Sequence, residues 1–285
     1  MLIDRFANLF EFLADHPQHH ARGTSFYQFV EGLTTPAFHE AKAIFETGQK
    51  ITLAELGPIT LPYEKMGAID SIDLFGLDEL LMFSFYYRNR ERYERAADIG
   101  ANIGLHSVLL SLCNFKVEAF EPDPEHHAKL VCNLELNNIT SCTAHKAAVS
   151  DKDGTMQFVR VLGNTTSSHL AGAKANPYGE LEHFDVAVKE IKAIAERVDL
   201  FKIDAEGHEA VIIKGLPIEV WQRVDAFVEI GTAENARLVY DYFAGTGINI
   251  FSQKLGWARV ESVEGLPSSY KEGGVFISAK QVMPW

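Results

Sequence analysis

Two short stretches place glycines and acids where they could hold a nucleoside. Asp98-Ile-Gly-Ala-Asn-Ile-Gly104 sets two glycines four apart behind an apolar run, and Phe120-Glu-Pro-Asp123 follows soon after. An apolar strand entering a glycine-rich turn, then a helix, then a second strand ending in an acid is the pattern of a nucleoside-binding βαβ unit. Gly100 and Gly104 would let the backbone pass close to a ligand where a Cβ would clash. Glu121, at the second strand's tip, offers acceptors to both hydroxyls of a ribose. Two ligand classes compete for such a turn. Dinucleotide folds use G-x-G-x-x-G, whose second glycine brings backbone against a pyrophosphate. Here there are two glycines only, and Asn102 stands where the tight turn would be. Asp98 suits a cation better than a diphosphate. That favours S-adenosylmethionine, which carries a sulfonium and an α-ammonium and no phosphate, over a nicotinamide.

A second group of acids lies further along, in Asp204-Ala-Glu-Gly-His-Glu209, with Glu229 in Phe227-Val-Glu-Ile230. Ligands of open α/β sheets bind outside the carboxyl ends of the strands, and both stretches end apolar runs. Methyl transfer from a sulfonium is an in-line displacement, so placing an oxygen ~3 Å from the methyl carbon supplies much of the rate. A base helps as the hydroxyl loses its proton. Asp204, Glu206 and Glu229 are the candidate acids for this work, and His169 and His208 the available imidazoles. Each has a plainer alternative. Asp204 or Glu206 could cap the next helix, Glu209 could brace the Gly207 turn, and His169 could be a surface residue. The three acids together could also hold Mg²⁺, since that ion takes oxygen ligands; metal dependence is not the expectation.

The elements that would position these residues change character near position 94. Residues 1–94 read as a mainly helical, substrate-shaping region. Leu2, Phe6, Leu9, Phe10 and Leu13 recur at helical spacing, and His16-Pro-Gln-His-His20 reads as a solvated loop. Residues 36–48 read as a helix, 58–63 as a strand and 78–93 as a helix. From 95 to 285, strands and helices alternate, which argues a parallel sheet with helices on both faces. The strands fall at 96–99, 116–120, 143–149, 198–203, 225–230, 248–252 and 274–278. An apparent hairpin turns at Ser150-Asp-Lys-Asp-Gly154, with 155–162 as its second arm, and 163–170 is a polar loop.

At 285 residues and 47% hydrophobic, the chain is long enough for a large core. Its 26 basic and 39 acidic residues give a net charge of −13, which argues against a nucleic-acid substrate and against docking on anionic membranes. No apolar run is long enough to span a bilayer, and the first residues lack the features of an export signal. Cys113, Cys132 and Cys142 show no C-x-x-C spacing and fit reduced, buried thiols of a cytoplasmic protein. Apolar residues among the first 94 positions are compatible with a homodimer interface or a lid.

Five motifs in order resemble the FkbM family of S-adenosylmethionine-dependent methyltransferases. They are Asp98-Ile-Gly-Ala-Asn-Ile-Gly104, Phe120-Glu-Pro-Asp-Pro124, Asn137-Asn138, Ala147-Ala-Val-Ser-Asp151 and Lys202-Ile-Asp-Ala-Glu-Gly-His-Glu209. The resemblance implies the class I methyltransferase fold, a Rossmann-like sheet of seven mostly parallel strands whose last is antiparallel. It also implies methyl transfer to a hydroxyl of a sugar, glycan or secondary metabolite, with S-adenosylhomocysteine as product. Asp98, Gly100, Asn102 and Gly104 would hold the methionine part, with Asp98 on the α-ammonium. Glu121 would take the ribose, Pro122 and Asp123 would shape the adenine pocket, and Ala147, Ala148 and Val149 would lie along the ring. For Ala147 and Ala148, tight strand packing is an equal alternative. Asn176-Pro-Tyr178 resembles the loop of amino-methylating enzymes but comes too early in the chain, so it reads as a turn. A nicotinamide-dependent sugar oxidoreductase would want G-x-G-x-x-G and Tyr-x-x-x-Lys, and neither occurs. A cofactor-binding scaffold without catalysis remains the third alternative.

Overall fold

The computed structural model describes residues 8–174 and 179–285. The Asn176-Pro-Tyr178 turn lies outside the described residues. The chain begins with α1 (Leu9–Ala14), α2 (Ser25–Glu40), α3 (Lys42–Glu46), the hairpin of β1 (Ile51–Leu53) and β2 (Gly57–Ile59), and α4 (Leu77–Arg88). Then β3 (Arg95–Ile99), α5 (Leu105–Leu112), β4 (Lys116–Phe120), α6 (Pro124–Leu136) and β5 (Cys142–His145) alternate. An inserted group follows: β6 (Ala148–Ser150), β7 (Gly154–Val161), β8 (His169–Leu170) and β9 (Leu181–Glu190). The alternation resumes with α7 (Ile191–Ala195), β10 (Leu200–Ile203), α8 (Glu209–Lys214), β11 (Asp225–Glu229) and α9 (Ala233–Phe243). It closes with β12 (Asn249–Ser252), β13 (Ala258–Arg259) and β14 (Gly274–Ser278).

The main sheet runs β13-β12-β14-β11-β10-β3-β4-β5. β3, β4, β5, β10 and β11 are mutually parallel, and β14 is antiparallel to both β11 and β12. This is the expected α/β class with its last strand reversed, plus two-residue β13 on the edge. The four buried residues of β10 and the buried Ala96, Ala97, Asp98 and Ile99 of β3 are what a parallel strand covered on both faces requires.

Three expectations change. Residues 143–149 are not one strand: the chain breaks after His145, so β5 stays in the main sheet while β6 enters a second sheet ordered β6-β9-β7-β8. The 150–154 turn does not make a hairpin, because β9 lies between β6 and β7, parallel to the first and antiparallel to the second. The N-terminal helix expected from 36 begins at Ser25, where Thr24 Oγ1 accepts the Tyr27 N–H at 3.1 Å; Pro36 sits inside it.

One side of the main sheet packs Phe83, Phe85, Leu109, Phe227 and Phe276 with Phe10, Phe38 and Phe75, so residues on both sides of position 94 share a single core. His20 belongs to it rather than to solvent. Trp257 Nε1 donates to His20 Nδ1 at 2.9 Å, which fixes the proton on Nε2 for the Leu13 carbonyl. Burial lowers this imidazole to about 4, as a neutral core histidine requires. Of the free cysteines only Cys113 is fully buried, and Cys132 is exposed. Among the described residues no helix is long and apolar enough to cross a membrane.

Candidate functional site

The carboxyl ends of β3, β4 and β10 open onto a cavity of about 240 Å³. Gly100, Asn102, Glu121, Ala148, His169 and Asp204 lie on its walls. A second cavity, of about 120 Å³, lies beyond Asp204 and is lined by Glu229, Phe227, Trp257, Tyr270 and Arg22 among others. Asp204 and Glu79 line both. Helix α4, expected only as part of a substrate-shaping region, therefore reaches the centre of the site.

The glycines of the first turn serve packing. Gly100 has φ +76°, and a Cβ there would stand 1.8 Å from the Asp204 carbonyl oxygen. Gly104 has φ +88°, caps α5, and its added Cβ would meet Leu130 Cδ1 of α6 at 2.4 Å. The close approach expected toward a ligand is thus made by the protein's own backbone and α6 side chain. Asn102, also in left-handed conformation, donates its N–H to Glu121 Oε2 at 2.8 Å, and its Oδ1 is buried without a hydrogen-bond partner.

Asp98 lines none of the cavities described. It is fully buried, with Oδ2 accepting from Ser107 Oγ at 2.6 Å and Oδ1 3.6 Å from Lys202 Nζ. The expected contact with an α-ammonium finds no cavity leading to it: the carboxylate is enclosed below the turn, its Oδ1 without a hydrogen-bond partner. Lys202 also donates to the Gly100 carbonyl at 3.0 Å and reaches Asp204 Oδ2 at 3.4 Å. Burial would discharge this ammonium, but Asp204 and Asp98 outweigh it and raise its pKa.

Glu121 takes N–H bonds from Asn102 and from Asp123, each at 2.8 Å, at the cavity wall. Burial nevertheless pushes its carboxyl up to about 8, the two N–H bonds opposing. Asp123 caps α6 through the Glu125 N–H at 2.8 Å and binds Arg160 of β7 at 2.6 and 2.7 Å. Burial favours its neutral form, yet Arg160 holds it below the usual range. Pro122, Ala148 and Val149 line the larger cavity, and Ala147 is buried behind them.

The candidate acids converge only in part. Asp204 joins the cavities, Glu206 faces the larger and Glu229 the smaller. Burial opposes ionisation of Asp204, but Lys202, with Glu229 beside it, holds its carboxyl below the usual range; its Oδ1 is buried without a hydrogen-bond partner. Burial beside that charge drives Glu229 well above the carboxylate range. Glu206, at φ +51°, pairs with Lys174 and accepts from Tyr270 Oη at 3.4 Å; burial and Asp204 raise it to about 7. His169 is buried in the larger cavity with Nδ1 on the Ser167 carbonyl at 2.9 Å, and burial lowers its pKa, so it stands apart from the acids near Glu229. His208 is bound to Ser150 Oγ at 2.8 Å. Neither Asp204 nor Glu206 caps α8, while Glu209 braces the turn by accepting from the Ala205 and Gly207 N–H groups at 2.9 and 3.0 Å. Among the described residues no group of three His, Cys, Asp or Glu is arranged to hold a metal ion.

Several residues escaped the sequence reading: Glu79, His106, Lys202, Arg160, Lys174 and Tyr270. Arg160 and Lys202 did leave a signal, as single cations inside the apolar strands Phe158-Val-Arg-Val161 and Leu200-Phe-Lys-Ile203. A charge there must find a buried counterion.

Curated relatives include "Methyltransferase 1" of Beauveria bassiana (strain ARSEF 2860), 27% identical over 46% of this chain and 61% of the relative. "Methyltransferase sdnD" of Sordaria araneosa is 32% identical over 45% of this chain and 62% of the relative. The chain thus spans about three fifths of the length of these relatives. Among solved structures, an O-methyltransferase from Bacillus cereus in complex with SAH aligns at a TM-score of 0.38 and 9% identity, covering 69% of this chain and 79% of that one. The family model described as "Methyltransferase FkbM domain" matches residues 98–244, half of the sequence and the whole stretch from the Asp98 turn through α9, and the chain belongs to that family.

Proposed function

We propose that this chain transfers a methyl group from S-adenosylmethionine to a hydroxyl oxygen of a sugar, glycan or small secondary metabolite. The observation that carries the proposal is the junction at Asp204, where a nucleoside-sized cavity ending in Glu121 meets a second cavity through one ionised carboxylate. The larger cavity offers groups that fit the donor. Glu121 would take the ribose hydroxyls, Pro122, Ala148 and Val149 would flank the adenine, and Asn102 Oδ1 is buried with no partner of its own. When bound, the donor supplies an electrophilic methyl.

The protein's part is to hold an acceptor oxygen in line and remove its proton. A hydroxyl in the smaller cavity lies beside Asp204 and Glu229. As the new O–C bond forms, the hydroxyl proton becomes strongly acidic, so a carboxylate of low basicity suffices to receive it. Asp204 meets that need because Lys202 keeps it charged. Glu229, held neutral beside it, is a donor that can orient the acceptor.

The test is calorimetry with S-adenosylhomocysteine, followed by transfer of labelled methyl to a panel of sugars, oligosaccharides and hydroxylated metabolites. Wild type should bind the product and label at least one acceptor. Asp204→Asn should keep the binding and lose the transfer. Absence of binding refutes the donor; binding without transfer to any acceptor favours the scaffold.

A further inference from the structure

We propose that Glu79, on helix α4 and outside the stretch that matches the family, takes the α-ammonium of the donor's amino-acid tail in place of Asp98; this rests on the donor proposed above. A third cavity, of about 50 Å³, lies against the Gly100 turn and is bounded by Glu79, Gly100, Asn102, His106, Lys202 and Asp204. It shares Glu79, Gly100, Asn102 and Asp204 with the larger cavity, so a ligand whose ribose sits at Glu121 can extend into it past the turn. A tail carrying an ammonium needs a carboxylate there. Asp98 lies beneath, fully buried, with Oδ2 on Ser107 and Oδ1 3.6 Å from Lys202 without a hydrogen bond, and none of the three cavities reaches it. Asp204 faces the same space, with Oδ2 drawn to Lys202 and Oδ1 unpartnered, but it also lines the smaller cavity, where the proposed acceptor needs it.

Glu79 has the required freedom. Its Oε2 binds His106 Nε2 at 2.8 Å, and His106 Nδ1 is in turn fixed by Tyr86 Oη at 3.0 Å. Its Oε1 makes no hydrogen bond to the described residues, and the side chain keeps 32% of its surface exposed. The His106–Tyr86 pair therefore aims a carboxylate at the tail while leaving one oxygen open. Helix α4 holds the chain of contacts rigidly, since Leu80, Leu81, Phe83 and Tyr86 are all buried in the core. The N-terminal region would thus complete the donor site itself, in addition to any part it plays with the acceptor.

Two probes separate this role from a structural one: S-adenosylhomocysteine, which has the zwitterionic tail, and 5′-methylthioadenosine, which lacks it. In full-length protein, Glu79→Gln should weaken the first by at least about ten-fold, the loss of one charge-assisted bond, and leave the second within about two-fold. Glu79→Asp, which keeps the charge, should recover part of the loss. An equal fall for both probes, no fall for either, or equal affinity of wild type for both would overturn the assignment. Failure of wild type to bind either probe would instead refute the donor itself.

Discussion

If the donor's ribose sits on Glu121 as proposed, product binding should release a proton. The Glu121 carboxyl is pushed from 4.5 to about 8 by burial, so at pH 7 roughly nine-tenths of the free protein carries a proton there. A ribose diol donates two hydrogen bonds, and donation favours the charged form. If binding returns the group to its ordinary 4.5, roughly 0.9 proton leaves per ligand at pH 7, and affinity rises about fifty-fold in all between pH 6 and 8. The same shift has a stability counterpart. A folded pKa above the unfolded one adds stability below pH 4.5, and that stability is lost as pH rises toward 8. Its size is at most about 5 kcal/mol, at 1.36 kcal/mol for each tenfold step. The assay is titration calorimetry of S-adenosylhomocysteine at pH 7 in phosphate and in Tris, whose ionisation enthalpies differ widely. The observed enthalpy should differ between buffers by about 0.9 of that difference, and Glu121→Gln should abolish the dependence. Binding with the same enthalpy in both buffers would refute the placement of the ribose on Glu121.

Other outcomes follow from single contacts. Gly100→Ala puts a methyl 1.8 Å from the Asp204 carbonyl at φ +76° and should cost about 3 kcal/mol or more in urea unfolding; a loss under about 1 kcal/mol would contradict the packing. Arg160→Met strands Asp123, whose side chain is 1% exposed, and should cost about 3–5 kcal/mol, most of it recovered in the double variant with Asp123→Asn. Glu206, raised from 4.5 to about 7, contributes stability that is complete below pH 4.5 and gone above 7, at most about 3 kcal/mol. Glu206→Gln should therefore narrow the difference in urea midpoint between pH 5 and pH 8, and an unchanged difference would exclude its burial as described.

What the sequence revealed is local. The β3 turn, Glu121 and the seven long strands of the main sheet each depend on a run of residues whose periodicity and turn chemistry can be read in place. What it hid depends on contacts between distant segments. β9 inserts between β6 and β7 across some thirty residues, so the polar 150–154 turn looked like a hairpin. The break between β5 and β6 falls at the polar pair His145-Lys146, inside a stretch short enough to read as one strand. Glu79 is one of two acids in the first turn of its helix, with nothing local to single it out; only the seating of α4 on α5 brings it to His106.

Asp98 stands at the head of the turn, where its type and position suggested a partner for a ligand's cation, but its nearest cation is the protein's own Lys202. Lys202 spans three groups: Asp98 below, the Gly100 carbonyl of the turn, and Asp204 at the junction of the cavities. A lysine this deeply buried stays charged only because both carboxylates flank it. In turn it holds Asp204 below the usual range, and burial beside that charge drives Glu229 well above it. Under the proposed function, the first acid of the turn would act on the acceptor side without touching it, through alternating charges that leave one carboxylate to receive a proton and its neighbour to donate one.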